Sequence, residues 1–231
     1  MAKFAESLRA ALPEVAGIAV FSPVSREAVA SVDIPKSLEP VFGEPSLIYN
    51  TRSAHYRVRA GSFFQINRFL ADQLVELVTA GRSGGRALDL YAGVGLFSLP
   101  LAQSFREVTA VEAAPLAFPD LRHNALRHNA PANVAAIHMR VEECFAALPA
   151  GAKYDLVVLD PPRAGLGEKV ARAVAELGAP RMTYVSCDPA TLSRDLRVLL
   201  ESGYRVDEIH LVDLFPQTFH IESVFHLARP S

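Results

Sequence analysis

Cys187 stands between Ser186 and the pair Asp188-Pro189. Asp188 suits a helix N-cap and Pro189 a first helical position, which puts the thiol just outside a helix N-terminus. The positive end of the helix dipole there favours thiolate over thiol and lowers a pKa whose usual value is about 8.5. Two readings stand side by side: a nucleophile for covalent catalysis, or a small buried residue at a strand end. A second candidate lies in the stretch 213–222, where His220 and Glu222 alternate onto one strand face. A glutamate at a strand start is usually solvated, and a partner across a site is what makes it a base. Asp160-Pro161-Pro162-Arg163 forms a third cluster, whose guanidinium suits a phosphate or a polar carbonyl edge. The fourth is Asp89-Leu90-Tyr91-Ala92-Gly93-Val94-Gly95. Its glycines let the backbone turn tightly and approach a ligand at the next helix N-terminus.

All four clusters fall at the ends of strand-like runs. Candidate strands cover 87–91, 107–112, 134–140, 154–160, 181–186, 204–211 and 223–228, and helical patterns separate the first six. That alternation predicts a doubly wound, mostly parallel seven-stranded α/β sheet. The connection through Phe215, Pro216 and Gln217 is too short for a crossover helix, so the last strand is expected to be antiparallel. A helix is expected over 67–80. Residues 1–60 read as a small β-rich appendage and 61–231 as the main domain. The appendage offers a helix over 2–12, β-like runs at 17–21 and 28–34, and paired strands at 46–50 and 55–60. In the last of these His55, Arg57 and Arg59 share a basic face, expected to be solvated. The sequence LRHNA occurs twice within 121–130, and its period of five puts His123 and His128 on no common helical face. A solvated helix is the expectation there, with no metal site.

At about 150 residues per domain, 231 residues make one substantial domain plus an appendage. Half the residues are apolar and 21% charged, a globular composition that argues against disorder. Two cysteines, Cys144 and Cys187, are too few for a four-cysteine zinc or iron–sulfur site, and Cys144 is expected to be packed. A net charge of −2 does not advertise a nucleic-acid surface and does not exclude one, since phosphate contacts need only local basic groups. No apolar run reaches membrane-spanning length, and no signal peptide is apparent, so a cytoplasmic protein without a membrane role is expected.

The glycine turn lacks the third glycine of a dinucleotide fingerprint, with Ser98 in its place. Asp89 within the first strand of the sheet, and Glu112 ending the second, are acids that can accept the ribose hydroxyls of an adenosyl group. This pattern resembles S-adenosylmethionine-dependent methyltransferases more than NAD enzymes. The ordered set FFQIN (63–67), LDLYAGVGLFSL (88–99), VEA (111–113), LDPPRAGL (159–166), VSCDPATLSRDL (185–196) and FPQTFHIE (215–222) resembles the RNA uracil 5-methyltransferases, nearly end to end over 61–231.

The resemblance implies S-adenosyl-L-methionine as cofactor, a uridine in a ribosomal or transfer RNA loop as substrate, Cys187 as nucleophile and Glu222 as general base. Gln65, Tyr91, Glu112 and Asp160 match the family's cofactor-binding positions, with Gly93 and Gly95 in the turn. Phe63 matches an aromatic residue near the target base, and Arg163 is a candidate to orient the uracil or its enolate. Arg57, Arg59 and Arg68 are further places to look for RNA contacts. Larger members carry an N-terminal oligonucleotide-binding barrel and some an iron–sulfur cluster. Residues 1–60 are shorter than that region and hold no cysteine, so no cluster is expected. Two alternatives stand beside this reading: a nitrogen methyltransferase using the Asp160-Pro161-Pro162 corner, and a catalytically inactive RNA-binding fragment on the same fold.

Overall fold

A computed structural model of the chain describes residues 2–20, 39–65, 67–127, 132–149 and 151–230. The run expected over 28–34 and His128 of the repeat lie outside these residues. Helix α1 (Ala2–Ala11) is followed by strands β1 (Gly17–Val20) and β2 (Glu39–Gly43), which pair antiparallel. Strands β3 (Ser46–Asn50) and β4 (His55–Arg59) form a second antiparallel pair. Helix α2 covers Ala71–Thr79. It starts later than expected because Asn67 turns the chain: its Oδ1 accepts the Phe69 N–H and its Nδ2 donates to the Leu214 carbonyl.

The alternating part then runs β5 (Gly84–Leu90), α3 (Ser98–Leu101), β6 (Phe105–Glu112), α4 (Phe118–Ala125), β7 (Val134–His138), α5 (Val141–Ala147), β8 (Leu156–Leu159), α6 (Gly167–Glu176), β9 (Arg181–Ser186), α7 (Pro189–Glu201), β10 (Arg205–Val212) and β11 (Glu222–Ala228). The seven strands from β5 onward make one sheet in the order β10-β11-β9-β8-β5-β6-β7. β5 pairs parallel with both β6 and β8, so the winding reverses between β5 and β8, and the crevice beyond their carboxyl ends is where such sheets take ligands. The last strand, β11, inserts antiparallel between β9 and β10, so its first residue meets the carboxyl ends of its neighbours.

Both sheet faces are covered, which is why β8 reads as an uninterrupted apolar run. Strand alternation sends Leu156 and Val158 into the core with Leu74 and Val78 of α2 and Leu99 of α3. Val157 and Leu159 go to the opposite core with Val170 and Val174 of α6 and Leu192 and Leu199 of α7. Cys144 is buried in this second core. Tyr56 and Val58 of β4 join the first core, and the Tyr56 hydroxyl donates to the Leu96 carbonyl.

The basic face of β4 is solvated only in part: His55 is exposed as expected, whereas Arg57 and Arg59 turn to α4. Arg57 Nε donates to Asp120 Oδ1 at 2.9 Å and Arg59 Nε lies 3.3 Å from the same oxygen. The Arg59 N–H and the Ser62 hydroxyl reach Asp120 Oδ2 at 2.8 and 2.9 Å. Asp120 is wholly buried at the start of α4 and takes these partners in place of water. Asn124, one turn on, accepts the Arg57 N–H and donates to the Arg57 carbonyl. The two arginines therefore tie the β3–β4 hairpin to α4, with Arg57 largely buried and Arg59 keeping 40% of its side chain exposed. His123 on α4 is exposed, as expected of a solvated face.

Candidate active site

The glycine turn leaves β5 at Leu90 and enters a run of left-handed residues: Tyr91 at φ 64°, Gly93 at 56° and Gly95 at 97°. A non-glycine residue there costs about 1–3 kcal/mol, and such strain gathers at functional sites. A Cβ added at Gly93 would meet nothing within 4 Å, so the space over the turn is open. At Gly95 it would come 3.1 Å from Leu121 Cδ1, where the turn packs on α4. Glu112 ends β6 facing the turn. Its carboxylate accepts the Gly93 N–H at 2.7 Å and the Ala114 N–H at 2.6 Å. Burial raises its pKa, and those two N–H groups oppose the rise.

Asp89 does not share this position. It is wholly buried, takes the Ser98 hydroxyl on Oδ2, and leaves Oδ1 without a partner. Burial pushes its carboxyl up to about 7. With no exposed surface it does not face a ligand over the turn as expected.

Asp160 follows β8. Its carboxyl is pushed well above the usual range by burial, then by the charges of Glu222, Asp89 and Glu112. Four carboxyl groups thus gather at the switch point of the sheet. Cys187 follows β9, and the register pairing Ser186 with Ser223 brings Glu222 beside it across the sheet. Thirty-four residues of chain lie between the pair, and the antiparallel insertion of β11 closes the gap.

Glu222 is 4% exposed, and burial pushes its carboxyl up to about 7. The Cys187 thiol is half-buried, and its pKa is raised, by burial first and then by Glu222 and Asp160, with Arg163 opposing. The net direction is opposite to the lowering expected at a helix N-terminus, because burial dominates. Asp188 caps α7 with its own carboxylate, accepting the Ala190 and Thr191 N–H groups at 3.0 and 2.9 Å. A negative cap thereby occupies the positive helix end beside the thiol.

His220 does not share a strand face with Glu222, because β11 begins at Glu222. Its ring lies outside the strand, with Arg163 Nη2 3.1 Å from Nε2. Gln65 is buried in the segment between β4 and α2, and Phe63 in the same segment is 62% exposed. Arg68 is exposed and lies over the Phe69 ring.

Sequence reasoning missed Asp195. Wholly buried on α7, it accepts the Leu166 N–H at 2.6 Å and the Tyr184 hydroxyl at 2.8 Å. Arg194 donates to the Ala164 carbonyl and Thr191 to the Arg163 carbonyl, so α7 holds the whole loop from Asp160 to Leu166. Gly165 is fixed by this packing, since a Cβ there would stand 2.4 Å from Asp195 Oδ2. The available signal was an aspartate on the apolar stripe of Leu192 and Leu199.

Away from this edge, a cleft of about 430 Å³ between α2 and β10–β11 is lined in part by Glu208, His210 and His226. Their ligand-type atoms lie within 4.8 Å of one another. Burial, then the Arg82 charge, pushes His226 down to about 4. The Arg82 guanidinium lines the same cleft and repels a further cation. Among the described residues, no helix is long and apolar enough to cross a membrane.

The family model described as tRNA (Uracil-5-)-methyltransferase matches residues 37–230. The chain is 41% identical over 194 residues to an uncharacterized RNA methyltransferase of Streptomyces coelicolor, covering 80% of this chain and 41% of that protein. It is 38% identical over 207 residues to another from Halalkalibacterium halodurans, covering 82% and 44%. The chain therefore spans less than half the length of either relative. Among solved structures it is similar to the Pyrococcus abyssi tRNA (uracil-54, C5)-methyltransferase in complex with S-adenosyl-L-homocysteine. That likeness has a TM-score of 0.69 at 31% identity, over 81% of this chain and 45% of the other. TYW2 of M. jannaschii, in complex with AdoMet, shares the fold alone: TM-score 0.58 at 16% identity, over 84% and 91%. The chain belongs to the tRNA (Uracil-5-)-methyltransferase family.

Proposed function

We propose that the chain methylates carbon 5 of a uridine in RNA, with S-adenosylmethionine as donor and Cys187 as covalent nucleophile. The observation that carries this reading is the pairing of Cys187 with buried Glu222 at the edge where the glycine turn and Asp160 also converge. The site fits the donor on its own terms. Glu112, aligned by the Gly93 N–H, offers a carboxylate to the ribose beside open space. The gathered carboxyl groups of Asp160, Glu222 and Glu112 repel one another, and a sulfonium cation relieves that repulsion. Gln65, Tyr91 and Gly95 complete the donor-binding set that family resemblance assigns. When bound, S-adenosylmethionine supplies the electrophilic methyl group that carbon 5 takes.

Carbon 5 of uracil is a weak nucleophile until carbon 6 is saturated. The Cys187 thiol loses its proton to solvent, the thiolate adds to carbon 6, and the displaced π electrons move to the carbonyl oxygen as an enolate. Arg163, at the rim and within electrostatic reach of Cys187, is placed to stabilise that oxygen, and Phe63 to face the ring. After methylation, carbon 5 carries one hydrogen too many for uracil. Glu222 removes it, the electrons re-form the carbon 5–carbon 6 double bond, and the Cys187 thiolate leaves. A carboxyl near 7 is a stronger base than an exposed glutamate and remains partly ionised at neutral pH.

The target base must leave its stack, which costs less in a loop than in a duplex. Incubation with unmodified transcribed ribosomal and transfer RNA, followed by nucleoside mass spectrometry, tests the reading. It predicts 5-methyluridine from wild type and none from Cys187→Ala. Methylation on nitrogen, or turnover by Cys187→Ala, contradicts it.

A further inference from the structure

We infer that Phe219 is a stacking platform for an RNA base neighbouring the target uridine; this rests on the RNA reading above. Phe219 is 91% exposed, more than any other large apolar residue among those described. It contributes next to nothing to the core, and its ring rests on its chain neighbour. It tilts against the His220 ring with centroids 4.1 Å apart, and His220 is fixed in turn by Arg163 and by an edge contact with Phe215. The backbone beneath is a tied turn. Thr218 donates both its N–H and its hydroxyl to the Phe215 carbonyl, and its oxygen accepts the His220 N–H. Gln217 takes a left-handed φ of 67°, which turns the chain outward at this point.

The position relative to the chemistry is short. Three residues span at most about 10 Å, so Phe219 stands within one nucleotide's reach of Glu222. Its neighbour His220 touches Arg163, whose charge is felt at Cys187. A protein partner would call for a contiguous apolar patch, whereas Phe219 is flanked by Gln217, Thr218 and His220. A lone exposed ring resting on a fixed imidazole suits single-stranded nucleic acid, where each base offers a π face.

The chain contains no tryptophan, so Phe219→Trp creates a sole fluorescent reporter at this point. The probe is unmodified transcribed ribosomal and transfer RNA. Phe219→Ala is expected to raise KM for RNA by about 5- to 150-fold, the range base–aromatic stacking spans, with kcat within about twofold. Phe219→Trp is expected to keep KM near wild type and to show quenched emission when RNA is added. An unchanged KM in Phe219→Ala, a fall confined to kcat, or emission indifferent to saturating RNA each overturns the inference while the methylation reading stands. If wild type neither binds nor methylates this RNA, the RNA reading fails and takes the inference with it.

Discussion

Glu222 costs the fold stability, and replacing it with glutamine should return that stability in a pH-dependent way. Its carboxyl is carried from an ordinary 4.5 to about 7 by burial. At about 1.4 kcal/mol per tenfold, the ionised form is disfavoured in the fold by roughly 3 kcal/mol. Below 4.5 the group is protonated in folded and unfolded chains alike and contributes nothing. Between 4.5 and 7 the unfolded chain is ionised while the fold keeps the proton, so wild-type stability falls as pH rises through that window. Above 7 the full penalty is present. Glutamine removes the titration and leaves the shape.

Urea denaturation of wild type and Glu222→Gln, at about pH 4.5 and about pH 8.5, reads the effect. Any hydrogen bond that glutamine gains or loses is common to both pH values and cancels in the difference, whereas Asp160, raised in part by the Glu222 charge, relaxes in the variant and adds to the gain at the higher pH. The variant should gain roughly 3 kcal/mol relative to wild type on going from the lower to the higher pH. A difference independent of pH, or one of opposite sign, refutes the claim that Glu222 is a desolvated acid poised near neutrality.

Two further outcomes follow from the same geometry. Glu112→Ala should weaken S-adenosylmethionine binding by about 1–3 kcal/mol, since the turn loses its anchor and the ribose a hydrogen-bond acceptor; an unchanged Kd by calorimetry places the ribose elsewhere. Asp120→Ala should destabilise the fold by about 3 kcal/mol in urea denaturation, because it strips the buried partner from Arg57 and Arg59; a loss below about 1 kcal/mol means the hairpin is held by Tyr56 and Val58 alone.

The sheet was readable because its strands are local apolar runs, and the short link before β11 forced the antiparallel ending. The acids and the thiol were readable as residues at strand ends. Their neighbourhood was not, because strand order decides it. Nothing local to Cys187 says that β11 lies beside β9, and so nothing local says that Glu222 is buried next to it. Arg57 and Arg59 alternate as a solvated face would, and their partner Asp120 is more than sixty residues away. The thiol pKa was misread for the same reason: the helix end is visible in Asp188-Pro189, whereas the burial that raises it most, and the carboxylates from β11 and β8 that add to it, come from distant chain. Asp89 looked equivalent to Glu112, and only the packing of Ser98 onto it separates their roles.

The covalent step is the centre of the account, and a trapped adduct tests it most directly. RNA transcribed with 5-fluorouridine gives Glu222 no proton to remove once carbon 5 is methylated, so elimination of Cys187 stops. Incubated with S-adenosylmethionine and run on a denaturing gel, wild type should form a shifted protein–RNA band carrying the methyl label, and Cys187→Ala should form none. A band that persists in Cys187→Ala, or methylated 5-fluorouridine RNA released from wild type without a band, contradicts the covalent mechanism.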